Sequence, residues 1–326
     1  MRVLATGGAG YVGSATVRYL LGRGHEVVVY DNLSKGHRGS VPGERLVVGD
    51  LAEREKLVGV LRERGIEAVM HFAAWIAVGE SVERPAEYYR NNVANTLVLL
   101  EAMREAGVGK IIFSSTAAVY AASERPLTED SAKGPGSPYA FSKLAMERFL
   151  EDFSRAYGLG YVALRYFNAC GGSAEGKYGE DHEPETHLIP LVLKAALGQR
   201  AAIQVFGRDY DTPDGTCIRD YVHVDDLADA HARALEALGE GEGRVYNIGT
   251  GRGDSVLEVI RTAAEVVGRE IPMEYVGRRA GDTARLVASS DKLRRELGWR
   301  PRYATLREII ASAWQWHKSH PQGYGD

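Results

Sequence analysis

The feature that most restricts this chain's fold is an alternation in its first half. Short apolar runs stand at 2–5, 26–30, 45–48, 68–72, 110–113 and 161–164, and between them lie segments of helical period at about 11–22, 53–64, 86–106 and 139–157. A strand covered on both faces reads as a continuous apolar run, and parallel neighbours need crossover helices. The pattern therefore predicts an α/β protein built on a doubly wound parallel sheet. Gly24, Gly65, Gly107 and Gly158 fall just past the helical segments, where a left-handed residue closes a helix. After Arg165 the rhythm changes. Residues 169–186 are rich in Gly, Glu and Asp without any period, which marks a long loop. Further strands are expected at 202–206, 244–248 and 272–276, and helices at 187–198, 224–238, 255–268 and 304–318.

With 326 residues the chain is long for one core, so a large unit with a smaller C-terminal α/β lobe is expected. The net charge of −4 is spread without a basic block, which argues against nucleic acid as a partner. Cys170 and Cys217 make neither a disulfide framework nor a metal-type spacing, so a reducing compartment and no metal are expected. Arg2-Val3-Leu4-Ala5-Thr6-Gly7 reads as a strand and turn rather than a targeting segment, and no run approaches a membrane span. The expectation is a cytoplasmic protein without a membrane partner.

The first candidate site is the stretch TGGAGYVG. Gly8-Ala9-Gly10-Tyr11-Val12-Gly13 satisfies G-x-G-x-x-G, and Gly7, Gly10 and Gly13 recur every third residue. Because the turn follows a strand and opens a helix, it sits where backbone N–H groups can take a pyrophosphate. Asp31 ends the next strand about 20 residues on, placed to accept from ribose hydroxyls and to repel a 2′-phosphate. NAD is thus expected over NADP. Residues 1–168 are expected to form a Rossmann-type NAD-binding domain, with 222–250 packing back onto it and 169–326 forming the substrate-binding lobe.

The second candidate is SPYAFSK. Ser137 and Pro138 open a helix, so Tyr139 and Lys143 lie one turn apart on one face. A neighbouring ammonium favours the phenolate and a nicotinamide cation close by would favour it further, so a tyrosine able to act as a base near neutrality is expected. Just before it, the apolar strand at 110–113 runs into three hydroxyls, Ser114, Ser115 and Thr116.

A glycine turn, a Ser/Thr ending the fifth strand and Y-x-x-x-K on the next helix resemble the short-chain dehydrogenase/reductase superfamily. The length and second lobe resemble its extended, nucleotide-sugar epimerase branch, and the match runs over nearly the whole chain. It is carried by TGGAGYVGS, VYDNLS, YYRNNVANT, FSSTAAVY, SPYAFSK, LRYFNACG, HLIP, VFGRDYDTPDGTCIRDYVHVDDLA, YNIGTG and RRAGD. The resemblance implies catalytic Tyr139, Lys143 and Thr116. It implies that Gly7, Gly10, Tyr11, Val12, Gly13, Asp31, Asn32, Leu33, Asp50, Leu51, Phe72, Ala73, Ala74, Asn91, Ser114, Tyr166 and Phe167 hold NAD. Asn168, His187, Leu188, Gln204, Phe206, Arg219, Tyr221, Arg279 and Asp282, with Thr116 and Tyr139, would hold a UDP-sugar.

The implied reaction inverts C4 of a UDP-hexose, interconverting UDP-galactose and UDP-glucose. A 4,6-dehydratase would need an acidic pair directly after the Ser/Thr, and this chain has Ala117 and Ala118 there. Another UDP-sugar remains open as substrate, and Leu286, intermediate in size, leaves acceptance of N-acetylated sugars open. Ile76 stands where some relatives carry a lysine beside the cofactor, which implies weaker retention. The resemblance also implies a homodimer, for which Val93, Leu97, Leu100, Phe149, Leu150 and Phe153 offer apolar surface.

Overall fold

The computed structural model describes residues 1–279 and 281–325. In chain order the strands are β1 (Arg2–Thr6), β2 (Glu26–Asp31), β3 (Leu46–Val48), β4 (Ala68–His71), β5 (Lys110–Thr116), β6 (Gly160–Tyr166) and β7 (Asn168–Cys170). They continue as β8 (Ile203–Phe206), β9 (Ile218–Arg219), β10 (Tyr221–His223), β11 (Gly243–Ile248), β12 (Asp254–Ser255), β13 (Met273–Val276) and β14 (Arg285–Leu286). The helices are α1 (Tyr11–Gly22), α2 (Arg54–Glu63), α3 (Val78–Glu83), α4 (Pro85–Tyr88), α5 (Asn95–Ala106) and α6 (Pro138–Tyr157). Then come α7 (Leu188–Ala196), α8 (Val224–Ala237), α9 (Val256–Val267), α10 (Asp291–Leu297) and α11 (Leu306–Ser319).

Seven strands make one parallel sheet in the order β11-β6-β5-β4-β1-β2-β3. The order reverses at β1, whose neighbours β2 and β4 lead off to opposite sides. That leaves a crevice beyond the carboxyl ends of β1 and β4, the place where a doubly wound sheet binds ligands. One face is packed by α1 and α8, through Val17, Leu20, Leu227, Leu235 and Trp299 against Val3, Val29 and Met70. The other is packed by α2, α5 and α6, through Leu57, Leu61, Leu99, Met103, Met146 and Leu150 against Leu4, Val69, Ile111 and Phe113. Both layers are apolar, which is why the strands read as unbroken apolar runs. A separate core lies in the later part of the chain, where Val192 and Leu193 of α7, Val205 of β8, Ile260 of α9 and Ile310 of α11 meet.

The structure extends the sequence reading at two strands. β5 and β6 continue to Thr116 and Tyr166, because Ser114, Ser115 and Thr116 stay in register with Leu164, Arg165 and Tyr166. The expected helix at 86–106 is a compound run, with a π-type stretch over Tyr89–Ala94 joining α4 to α5. Strands of two or three residues, such as β9, β12 and β14, escaped the sequence reading because period two cannot be counted over so short a run. Helix α6 starts where Ser137 Oγ accepts from the Ala140 N–H at 3.1 Å and Pro138 takes the first position.

Helix α6 is tied to the sheet by a buried ion pair. Arg165 of β6 donates to both Glu147 oxygens, from Nε at 2.8 Å and from Nη2, and both side chains are under a tenth exposed. Ser115 Oγ also donates to Glu147, Arg165 Nη1 donates to Tyr120 Oη at 2.8 Å, and Tyr120 donates to Asn247 Oδ1 of β11 at 2.6 Å. Burial opposes the Arg165 charge, but Glu147 and Tyr120 more than offset it and raise its pKa. Removing one partner strands a buried charge. Glu147→Ala is therefore expected to lower unfolding free energy by roughly 3–5 kcal/mol in urea titrations, and the paired Glu147→Leu/Arg165→Leu change to recover most of that loss.

Candidate active site

The glycine turn is built for close approach. Gly7 adopts φ 69°, and a Cβ on it would meet the Ala73 nitrogen at 2.4 Å; a Cβ on Gly13 would meet the Gly7 oxygen at 2.4 Å. The turn is thus pressed against the chain after β4 on one side and against its own helix on the other. Gly10 caps α1 without a side chain, so the first-turn N–H groups of Tyr11, Val12 and Gly13 lack intrahelical acceptors. Asp31 accepts from Ala9 N at 2.9 Å and Leu33 N at 2.8 Å. Its burial pushes the carboxyl pKa up, while those two donors pull it down. Free lone pairs remain on both oxygens. Orphan donors at a helix N-terminus and a held carboxylate at the end of β2 fit a dinucleotide.

Around the turn, Asn32 donates to Asp50 Oδ2 at 2.7 Å, and Leu33 takes φ 59°, uncommon for leucine. Leu51 is buried against Leu57 and Tyr30. The Phe72 and Ala73 amides both donate to the Thr6 carbonyl, and Ala74 follows, half-buried. Tyr11 is turned away toward the second lobe: its hydroxyl donates to Gly171 O at 2.7 Å.

At the end of β5 the three hydroxyls part company. Period two sends Ser114 and Ser115 to opposite faces. Ser115 joins the Glu147 pair under α6, and Ser114 Oγ lies 3.2 Å from His231 Nε2 of α8. The Tyr166 phenol lies near Ser114, whose carbonyl accepts from Lys143 Nζ at 2.8 Å. Thr116 accepts from Ala118 N at 3.2 Å, and its hydroxyl lies near Tyr139, whose pKa it lowers. The fold therefore gathers Thr116, Tyr139, Lys143, Ser114 and Tyr166 at one strand end.

Electrostatics there depart from the expectation. Burial pushes the Tyr139 phenol well above its ordinary range, Tyr166 adds to the effect, and only the Thr116 hydroxyl opposes it. Burial likewise lowers Lys143 to about 7, with Glu147 opposing. The protein's own groups thus do not make the phenol acidic, because α6 buries the pair and burial disfavours both charges. Beneath them His71 bridges Thr6 and Thr96 at 2.7 and 2.9 Å, and burial and Lys143 lower it to about 3, so it stays neutral.

In the second lobe, Arg219 of β9 pairs with Asp282 at 3.3 Å, and the Arg279 guanidinium stands 4.2 Å from the centre of the Phe206 ring. Leu286 of β14 lies beside Arg219 in register. Gln204 of β8 donates to Glu274 at 3.0 Å, and Tyr221 is buried in the lobe core. Asn168 opens β7 with its amide on the Asp220 carbonyl, while Phe167 packs with Val119, Leu127 and Ala288. His187 caps α7 ahead of Leu188 and pairs with Glu180.

Several positioning residues were missed by sequence reasoning. Beside Asn91, whose Nδ2 donates to Asn92 Oδ1 at 2.9 Å, the buried Asn92 clamps Trp75 N and O and Ser142 Oγ at 2.9–3.0 Å. His231 touches Ser114 and the Phe72 ring, and Asp220 accepts from Thr250, Gly251 and Ala288 amides. Each sits in an apolar or turn context with no distinguishing neighbour in sequence.

A family model described as the NAD dependent epimerase/dehydratase family matches residues 3–249, and the chain belongs to that family. UDP-glucose 4-epimerase of Halalkalibacterium halodurans is 50% identical over 326 residues, covering 99% of this chain and 98% of the relative. That of Streptococcus mutans is 49% identical, covering 100% and 99%. Among solved structures, a UDP-glucose 4-epimerase aligns with TM-score 0.96 at 50% identity over 99% of each chain. The Bifidobacterium longum enzyme in complex with NAD+ and UDP aligns with TM-score 0.93 at 40% identity, covering 99% and 100%.

The low Lys143 pKa has a thermodynamic signature. Between about 7 and the unfolded value near 10.4, the unfolded chain binds more protons than the folded one, so stability rises with pH. Relative to Lys143→Met, the wild-type chain is expected to gain on the order of 1 kcal/mol per pH unit from pH 7 to 9 in buffered urea titrations. Equal slopes would show that Lys143 keeps its charge.

Proposed function

We propose that the chain interconverts UDP-galactose and UDP-glucose by inverting C4 through a 4-keto sugar, with NAD as a retained cofactor. The observation that carries this reading is the placing of Tyr139 beside Thr116, with Lys143 one turn on and Ala117 and Ala118 following. Ala117 is buried and neither alanine can move a proton, which disfavours a dehydratase.

On this reading the glycine turn holds the pyrophosphate on the orphan amides of α1, and Asp31 accepts from the adenosine ribose. Asn32, Leu33, Asp50 and Leu51 border the adenine; Phe72, Ala73, Ala74, Asn91, Tyr166 and Phe167 line the rest. Bound NAD+ supplies hydride acceptance and return, and a positive ring that favours the Tyr139 phenolate. Tyr139 takes the proton from the 4-hydroxyl, and Thr116 orients it. Lys143, fixed on the Ser114 carbonyl, holds the nicotinamide ribose. Arg219 and Arg279 clamp the diphosphate bidentately, Asp282 takes the uridine ribose and Phe206 packs on uracil. Asn168, His187, Leu188, Gln204 and Tyr221 complete the pocket. Residues 1–168 with 222–250 hold the cofactor and 169–326 hold UDP, so the sugar can turn over while its anchor stays put. Two free, buried cysteines suit a reducing cytoplasm.

A dimer is part of the same reading. Leu100 and Leu150 are consumed by the core, but Tyr89, Val93, Leu97, Phe141 and Phe149 line an apolar groove between the α5 and α6 ends. Leu97 and Phe141 remain exposed at its rim. A second copy covers this face.

Purified protein is expected to convert UDP-galactose to UDP-glucose, and failure with added NAD+ would overturn the proposal. Tyr139→Phe is expected to lose about 10²–10⁴ in turnover while still binding UDP. In light scattering, Leu97→Glu/Phe149→Glu is expected to give monomers where the wild-type chain gives dimers.

A further inference from the structure

The loop between β7 and α7 gathers four side chains the reaction does not use as a set. Glu180, His182, Glu185 and His187 each present one ligand atom, and these atoms all lie within 4.8 Å of one another. Glu180 Oε1 is 2.6 Å from His187 Nδ1 and 3.2 Å from His182 Nδ1. Glu185 Oε2 is 3.8 Å from His182 Nδ1. Donors about 2.0–2.2 Å from a tetrahedral ion stand roughly 3.3 Å apart, and the separations here fall on both sides of that length.

Two observations distinguish an ion site from a cluster of ion pairs. Glu180 Oε1, His182 Nδ1, Glu185 Oε2 and His187 Nδ1 are all buried, and none has a hydrogen-bond partner of acceptable direction. They stand close enough together to share one ion. Both glutamate side chains are only 3% exposed, so their charges need cationic partners close by, either protonated imidazoles or a bound ion. Two neutral imidazoles, two carboxylates and a divalent cation sum to zero. The second observation is orientation. The other Glu185 oxygen accepts from Thr186 N at 2.7 Å and His187 N at 2.8 Å, which turns Oε2 to the centre, as outer partners do at metal sites.

We propose that Glu180, His182, Glu185 and His187 form a Zn²⁺ site that holds the 171–187 loop. Two imidazoles and two carboxylates suit zinc, and four protein donors leave no open position, so the role is structural. The loop is where such a clamp acts on the fold. Tyr11 binds its Gly171 end, Lys35 Nζ donates to Glu183 O at 3.1 Å, and Trp316 of α11 donates to Glu180 O at 3.1 Å. A bound ion joins the cofactor side to the start of α7. This revises the sequence expectation of no metal: E-x-H-x-x-E-x-H lies in a segment without periodicity, and only the folded loop brings its ligands to one point.

The test uses tag-free, full-length protein from zinc-supplemented medium. Elemental analysis is expected to find about one zinc per chain. Stripping with a chelator is expected to lower Tm by several degrees, and Zn²⁺ to restore it. His182→Ala and Glu185→Gln are each expected to weaken Zn²⁺ binding at least tenfold, roughly the loss seen when metal-site partners are removed. His25→Ala, outside the loop, is expected to bind as wild type. A wild-type chain without stoichiometric zinc, whose Tm ignores both chelator and Zn²⁺, overturns the proposal, and so does preferential retention of Mn²⁺ or Fe²⁺. Zinc that persists in Glu180→Gln/His182→Ala overturns it as well. If a variant fails to fold, the wild-type zinc content and chelator-reversible Tm decide alone.

Discussion

The placement of the candidate chemistry depends on the Glu147–Arg165 pair. It is a buried ion pair between α6, which carries Tyr139 and Lys143, and strand β6 of the sheet. An isolated charge at that depth would be very unfavourable, so each partner is acceptable only because the other faces it. The pair takes in Ser115 from β5 and, through Tyr120 and Asn247, reaches β11. One polar knot thereby fixes the register between a helix, three strands and the loop at Leu127, whose carbonyl accepts from Asn247. Such a network specifies a single arrangement better than apolar packing, which tolerates sliding.

From that anchor the rest follows by geometry. Fixing α6 against β5 puts Lys143 Nζ on the Ser114 carbonyl and Tyr139 beside Thr116. The same burial that secures the helix sets the protonation states. It holds the phenol protonated, weakens the ammonium and keeps His71 neutral. The site is therefore poised by exclusion of water, and the charge that activates it must arrive with the cofactor. The second lobe contributes in another way. Its Arg219–Asp282 and Arg279–Phe206 contacts come from short strands and loops.

Much of this was legible in the sequence. The apolar runs, the glycines after helices and the Ser137-Pro138 start each have a local cause, so sheet, crossover helices and the N-terminus of α6 could be read directly. Asp31 could be placed because strand β2 ends there in any register. Asn92, His231 and Asp220 could not, since their partners lie far along the chain and nothing nearby marks them. Ser115 shows the same boundary. Its neighbours on either side face Lys143, Tyr166 and Tyr139, while its own hydroxyl belongs to the ion pair on the other face.

By itself the sequence determined the class of fold and the glycine turn and set Tyr139 and Lys143 on one helix face, because these rest on periodicity, glycine spacing and residues one helical turn apart. The tertiary structure decided what those groups experience. The Lys143 and Tyr139 shifts arise from the layers packed over them, the partition of Ser114, Ser115 and Thr116 from the sheet's two faces, and the convergence of Glu180, His182, Glu185 and His187 from a loop with no period. Local rules govern which element forms. Desolvation and convergence depend on atoms distant in sequence, and only the folded chain brings those together.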